Sequence, residues 1–239
     1  MSWAAHDMEP YAFQRHLKLK IAFVPLLIGS YSPDMMTKWF VYGIHLGPWD
    51  LKASNPAQFH RGWPGFGFTH SFLYGLVIAL ILWKVFDSKL WGFSFLVGQW
   101  AHALTDAGDT VGTMIFFPWT WHFHLDAWAY AGQTGRMTDA AAYFSGLGGM
   151  WDFVWIVYGF FSWRVLTSVY FDNVIYRADA FWPWANRVVP RGALLTLYRA
   201  AFFYGTSRWL AWTIWAHVIH HYPYDLTWGG PHWVPAAHP

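Results

Sequence analysis

The sequence of 239 residues contains no cysteine and few charged residues. Without cysteine, disulfide bonds, thiolate metal sites and cysteine nucleophiles are all excluded. Charged residues make up 12% of the chain, whereas a soluble domain typically carries about 25%. The formal net charge is only +2, and the lysines and arginines form no block. The charge pattern therefore gives no reason to expect a nucleic-acid partner.

The chain is instead rich in apolar and aromatic residues. Hydrophobic residues account for 56% of it, and it contains 20 tryptophans, 13 tyrosines and 21 phenylalanines. Trp and Tyr gather where hydrocarbon meets water, because one part of the ring is apolar and the other can hydrogen-bond. We therefore expect one integral membrane domain spanning residues 1–239. Its aromatic rings would form an interfacial belt, or would in part face a pigment, a lipid or a partner subunit.

Apolar segments of about the length of a membrane span, roughly 17–25 residues, occur five times in the sequence. They cover residues 17–33, 70–86, 90–106, part of 140–161 and part of 194–217. The sequence thus predicts an all-α, polytopic membrane bundle of about five transmembrane helices with short interfacial helices between them.

The distribution of positive charge predicts the orientation of this bundle. Most lysines and arginines fall on one side if the N-terminus is cytoplasmic, as the positive-inside rule requires. The expected localisation is the bacterial inner membrane, with the N-terminus in the cytoplasm and the C-terminus in the periplasm. In this orientation His70 and His102 lie on the outer side with most other histidines, while His6 and His16 lie on the inner side. Binding or chemistry is therefore expected on the outer side.

His102 and Asp106 are four residues apart at the end of the third apolar segment. Residues at this spacing share one face of a helix, and Asp109 would follow one turn later. A histidine nitrogen and a carboxylate oxygen can bind one divalent cation. The alternative is that the carboxylate hydrogen-bonds the histidine merely to hold two helices together.

A second group, His217, His220 and His221, has the spacing His-x-x-His-His. It resembles one histidine box of the membrane di-iron desaturases and hydroxylases, which ligate iron through several such boxes. His122 and His124 do not fit the other boxes, so a solvated helix end is the favoured interpretation. In a pigment-containing complex, histidines could also bind the magnesium of a chlorophyll-type pigment.

Four short motifs, in order, resemble those of the YdjM-type family of bacterial inner-membrane proteins, which are described as metal-dependent hydrolases. The resemblance covers about residues 20–140, and residues 140–239, with two further apolar segments and the tail, gain little from it. The motifs are Gly29-Ser30-Tyr31-Ser32-Pro33-Asp34, His60-Arg61-Gly62 with Thr69-His70-Ser71, Gly98-x-x-x-His102-x-x-x-Asp106, and Gly112 with Phe117-Pro118-Trp119.

The resemblance implies a metal site and a hydrolytic activity. Its ligands would be Asp34, His70, His102 and Asp106, with His60 as a weaker candidate. Asp109 is a weaker candidate as well, from its spacing. The implied cofactor is a divalent metal such as zinc, which would activate water or polarise the scissile group. The substrate would be a lipid or another amphiphile at the outer membrane face.

Two departures from the family pattern support a different function. Met36 stands where the family often has a second acidic residue. In the second motif, either residues 63–68 separate the two halves or Phe66 replaces the arginine before Gly67. A relative that has lost activity could serve as a structural or accessory subunit of a photosynthetic or respiratory membrane complex. It would bind membrane lipids or pigments through its Trp-rich surface, and other membrane subunits would order its termini, including the tail 229–239.

Overall fold

The computed structural model describes residues 3–17, 19–51, 67–128, 136–230 and 232–235. This part of the chain is mostly helical. Its α-helices are α1 Trp3–His16, α2 Phe23–Met35, α3 Lys38–Tyr42, α4 Phe72–Phe86, α5 Lys89–Asp106, α6 Arg136–Ser145, α7 Leu147–Phe161, α8 Ser168–Tyr170, α9 Tyr176–Ala178, α10 Phe181–Ala185 and α11 Arg191–Ile214. Short 3-10 segments cover Phe68–His70 and Trp163–Leu166, and π-helical turns cover Phe171–Ile175 and Trp215–Ile219.

Four short strands form two antiparallel pairs. Strand β1, Ile44–Leu46, pairs with β2, Trp49–Leu51, and β3, Trp121–His124, pairs with β4, His232–Pro235. The second pair joins residues more than a hundred positions apart in the sequence. Part of the C-terminal tail is therefore held by the chain's own strand β3.

Helices α2 and α5 cross at very short distance because each presents a glycine to the other. A Cβ atom on Gly29 would overlap the carbonyl oxygen of Phe95, and one on Gly98 would overlap that of Leu26. Small residues let two helix backbones approach closely enough for main-chain groups to face neighbouring side chains. This crossing brings the end of α2 next to the last turns of α5.

Helix α1 is buried although it carries several ionisable residues. Asp152 of α7 accepts hydrogen bonds from the backbone N–H groups of Ala4 and Ala5, at 3.1 and 2.9 Å. These are first-turn donors, which have no partner inside their own helix. The Tyr11 hydroxyl donates to the carbonyl oxygen of Tyr198 in α11 at 2.7 Å. Helix α1 is thus fixed at both ends between α7 and α11, and it packs along α5.

The main apolar core lies between α1, α7, α11 and the short helices around residue 175. Its fully buried members include large aromatic and aliphatic side chains. They are Met8, Tyr11, Phe23, Ile156, Val165, Phe171, Ile175, Trp182, Leu194, Tyr198 and Phe202.

The prediction of a polytopic membrane bundle is wrong. No helix in the described part of the chain is both long enough and apolar enough to cross a bilayer. Helix α4 is apolar but has 15 residues, whereas a span needs about 20. Helix α11 has 24 residues, but these include Arg199 and Arg208 together with one serine and three threonines.

The predicted localisation depended on these spans and is wrong for the same reason. The bacterial inner membrane, the cytoplasmic N-terminus and the periplasmic C-terminus all followed from counting five crossings, and the described helices provide none. The apolar segments do form helices, but turns break some of them. Residues 140–161, for instance, contain the end of α6 and all of α7, with a break at Gly146.

Candidate metal centre

The four predicted ligands come from three elements and lie close together. Asp34 lies at the end of α2, His70 ends the 3-10 segment before α4, and His102 and Asp106 lie in the last turns of α5. Gln99 holds the His70 segment against α5. Its side-chain amide donates to the carbonyl oxygens of Thr69 at 3.2 Å and of Ser71 at 3.0 Å.

The ligand atoms of these four side chains lie within 4.8 Å of one another, so the cluster could hold a metal ion. The Nε2 atoms of His70 and His102 are 3.3 Å apart. Each lies 3.5 Å from Asp106 Oδ2, and they lie 3.6 and 3.8 Å from Asp34 Oδ1. Tetrahedral ligands at about 2.0–2.2 Å from one zinc ion would lie about 3.3–3.6 Å from each other. Five of the six separations are therefore close to those that a tetrahedral ion requires.

The backbone of α2 orients one of the histidines for ligation. His102 Nδ1 lies 2.6 Å from the carbonyl oxygen of Ser30. A carbonyl only accepts hydrogen bonds, so Nδ1 must carry the proton and donate it. The lone pair is then on Nε2, which faces the other three ligands. Such a hydrogen bond on the far nitrogen is the usual support of a metal-binding histidine. In His70 the corresponding nitrogen lies 3.1 Å from the Thr69 hydroxyl.

Burial differs among the four side chains. Those of His70, His102 and Asp106 are 0% exposed, while that of Asp34 is 19% exposed. The cluster therefore lies nearest the described surface at Asp34, whose Oδ1 is itself buried.

The protonation states suit metal binding. Burial and the nearby positive charge of His6 lower the pKa of His102 well below its usual value, so its ring is neutral. Burial alone would raise the pKa of Asp34, but the charge of Lys38 and the polar contact with the His70 ring outweigh burial and hold that pKa well below its usual range. A neutral imidazole and an ionised carboxylate are the forms that bind metal ions.

A second layer of ionisable groups from α1 lies behind the cluster. The His6 ring stacks on His102 with centroids 3.9 Å apart, and its Nε2 lies 3.5 Å from Asp106 Oδ1. Its Nδ1 lies 3.7 Å from Glu9 Oε2, and Glu9 Oε1 accepts a 2.8 Å hydrogen bond from the Thr105 hydroxyl. Burial opposes charge on the His6 ring, but Asp106 and Glu9 outweigh it and raise the pKa of His6 to about 9.

Sequence reasoning missed this layer and placed His6 on the side opposite His102. That prediction is wrong, because α1 packs along α5 and brings the two rings into contact. The available signal was the i, i+3 spacing of His6 and Glu9, which puts both on one helical face.

Lys38, in the first turn of α3, was also missed. Its Nζ lies 2.9 Å from Asp34 Oδ1, and both side chains are 19% exposed. The signal in the sequence was again a spacing, since Asp34 and Lys38 are four residues apart.

Of the two weaker candidates, the structure describes Asp109, which is not part of the cluster. Asp109 is buried, and its Oδ1 accepts the backbone N–H groups of Val111 and Gly112 at 3.0 and 2.7 Å, which shapes the loop after α5. His60 lies outside the described residues, as does most of the stretch between the two halves of the second motif. Met36, at the position of the missing acid, is 46% exposed.

The remaining histidine groups have other contacts. His217 stacks on Tyr224 with centroids 4.0 Å apart, and its Nε2 lies 3.2 Å from the carbonyl oxygen of Phe144. His124 Nδ1 lies 2.7 Å from Asp126 Oδ1. Within the described ranges, the group of Asp34, His70, His102 and Asp106 is the one set of His, Asp and Glu side chains that could hold an ion.

An apolar cavity of about 680 Å³ lies on the other side of α5, between α1, α5 and α7. Four tryptophans contribute to its wall, namely Trp128, Trp151, Trp155 and Trp228. Glu9 is the charged member among the described residues that line it. Glu9 therefore belongs both to the wall of the cavity and, through its contact with His6, to the layer of ionisable groups behind the cluster.

The chain was compared with models of protein families, with curated proteins and with solved structures, and none of the three comparisons produced a match. The resemblance to the YdjM-type family stays a prediction from short motifs.

Proposed function

We propose that this protein is a metal-dependent hydrolase whose ion is held by Asp34, His70, His102 and Asp106. The observation that carries the proposal is the near-tetrahedral spacing of the four ligand atoms. Two histidines and two carboxylates form a ligand set suited to zinc. A bound divalent ion would lower the pKa of a water molecule or polarise the bond to be cleaved. Asp34 is the one ligand of the four with a partly exposed side chain, so water and substrate would approach from its side.

The test is a Zn²⁺ titration of purified, chelator-treated protein followed by assays of hydrolysis. We expect one strongly bound Zn²⁺ per chain, measured by elemental analysis after gel filtration. Hydrolysis of chromogenic carboxyl and phosphate esters should require Zn²⁺ and disappear with EDTA. The matched control is His124→Gln, which alters a histidine beside a carboxylate outside the cluster. Failure to bind Zn²⁺, or hydrolysis that continues at the same rate in the presence of EDTA, would contradict the proposal.

A second candidate function is the binding of an apolar ligand such as a lipid or a pigment, with no hydrolysis. The observation that favours it is the cavity of about 680 Å³ with four tryptophans in its wall. Enclosed, mostly apolar cavities of roughly 300–1,000 Å³ are typical of small-molecule sites.

Titration with a fluorescent long-chain fatty acid tests this second function. Ala101→Phe places a ring in the cavity wall and should weaken binding of the fatty acid about tenfold. This corresponds to a loss of roughly 1.4 kcal/mol in binding free energy. Ala193→Phe, on an exposed position of α11, should leave binding unchanged. Equal binding by both variants would show that the fatty acid does not occupy the cavity.

A further inference from the structure

Lys38 lies on the accessible side of the ligand cluster, beside its one partly exposed ligand. Its Nζ is 2.9 Å from Asp34 Oδ1, and this same oxygen faces the Nε2 atoms of His70 and His102. The carboxylate oxygen that would bind the ion is thus already in an ion pair with an ammonium group. His70, His102 and Asp106 are fully buried, whereas the side chains of Asp34 and Lys38 are partly exposed, although Asp34 Oδ1 and Lys38 Nζ are themselves buried. Of the described groups, Lys38 is therefore the cation nearest the ion site on the side that faces the surface.

The position of Lys38 conflicts with a bound ion unless an anion is present. An ion about 2 Å from Asp34 Oδ1 would stand within roughly 5 Å of the ammonium, where two positive charges repel each other strongly. The two carboxylates already neutralise a divalent ion bound by neutral histidines. Once Asp34 binds the ion, the charge of Lys38 has no equivalent partner in the cluster. An oxyanion between the two cations would remove the repulsion and neutralise the surplus charge.

We propose that the ion of this centre and the Lys38 ammonium together bind the phosphate group of a phosphate-ester substrate. This inference rests on the proposed metal-dependent hydrolysis and assigns its substrate class. One phosphate oxygen would bind the ion and a second would accept a hydrogen bond from Lys38 Nζ. Lysine is a common phosphate-binding residue, because it offers a compact charge with three rotatable donors. A phosphate group also carries enough oxygen atoms to contact both cations at once, so it fits better than an uncharged ester carbonyl.

The test measures binding of inorganic phosphate to the Zn²⁺-loaded, full-length protein by isothermal titration calorimetry. Lys38→Met removes the charge and keeps the length of the side chain. It should weaken phosphate binding about tenfold or more, because a charge-assisted hydrogen bond is lost. Affinity for Zn²⁺ should stay the same or rise, because a competing cation has been removed. Lys38→Arg should retain most of the phosphate affinity, and Lys20→Met, at an exposed lysine, should retain all of it.

The possible results distinguish the role of Lys38 from the existence of the metal centre. Normal Zn²⁺ binding with phosphate affinity unchanged in Lys38→Met would overturn the role of Lys38 and leave the metal centre intact. Acetate binding as tightly as phosphate would overturn the assignment to phosphate esters. Equal phosphate binding by the metal-free protein would overturn the joint site. Absence of Zn²⁺ binding would overturn both the proposed function and this inference.

Discussion

Replacement of Asp106 by asparagine is expected to lower the affinity for Zn²⁺ by about 100-fold or more and to abolish Zn²⁺-dependent hydrolysis. The loss of a single supporting residue around a metal site typically costs about 10–100-fold in affinity, and Asp106 is proposed as a direct ligand. Its Oδ2 lies 3.5 Å from Nε2 of both histidines. Asparagine keeps the shape of the side chain but removes the charge that balances the ion.

The matched control for this substitution is Asp126→Asn. Asp126 also has a histidine beside it, since its Oδ1 is 2.7 Å from His124 Nδ1, but it lies in the loop after β3, outside the cluster. This variant should bind Zn²⁺ as the unaltered protein does. Competition with a chromophoric chelator measures both affinities, and circular dichroism checks that each variant is folded. If Asp106→Asn bound Zn²⁺ with unchanged affinity, Asp106 could not be a ligand.

Gly98→Ala is expected to destabilise the protein by about 3 kcal/mol or more. Inserting a methyl group into a tightly packed contact typically costs about 1–3 kcal/mol, and here the new Cβ would meet the backbone carbonyl oxygen of Leu26. Backbone cannot move aside as a flexible side chain can. Helices α2 and α5 would have to separate, which would also pull Asp34 and the Ser30 carbonyl away from His102. We therefore expect the affinity for Zn²⁺ to fall in the same variant.

Gly192→Ala provides the control for the change of residue type. Gly192 lies in the first turn of α11, and a Cβ there would meet no atom within 4 Å. The free energy of unfolding should change by less than about 1 kcal/mol, in the direction of greater stability. Urea denaturation followed by tryptophan fluorescence measures both variants. Equal stability of the two would mean that the α2–α5 crossing tolerates a wider spacing than the structure indicates.

The helices that carry the cluster could be predicted from the sequence because their signals are local. The segment 90–106 was expected as a helix and is α5, with His102 and Asp106 on one face. Ser71, a typical N-cap residue, caps the helix after His70, where its hydroxyl accepts the N–H of Tyr74 at 3.1 Å. Periodicity and caps depend on neighbours within about four residues. Such features are accessible without knowledge of the tertiary contacts.

The environment of the helices could not be predicted, because it depends on contacts between distant segments. The apolar composition favoured the prediction of membrane-spanning helices. It also obscured the turns that divide some of the apolar segments into shorter helices. Helix α1 was overlooked because its ionisable residues, among them His6 and Glu9, are typical of an exposed segment. The helix is buried with partners more than ninety residues away: Thr105 donates a hydrogen bond to Glu9, and Asp152 accepts one from the backbone N–H of Ala4. No pattern within α1 identifies those partners.

The hydrogen bond between His102 and the carbonyl of Ser30 has a consequence for the evolution of this site. The acceptor belongs to the main chain, so every amino acid at position 30 supplies it, and mutation of that side chain cannot remove it. What must persist is the close approach of the two helices, which depends on Gly29 and Gly98. The Ser30 side chain is buried and its hydroxyl donates to the carbonyl oxygen of His6, so packing limits what can stand there. Any residue that fits would keep the same imidazole tautomer. The residues that must be inherited to preserve this hydrogen bond are thus the two glycines, Gly29 and Gly98, and not the residue that supplies the acceptor.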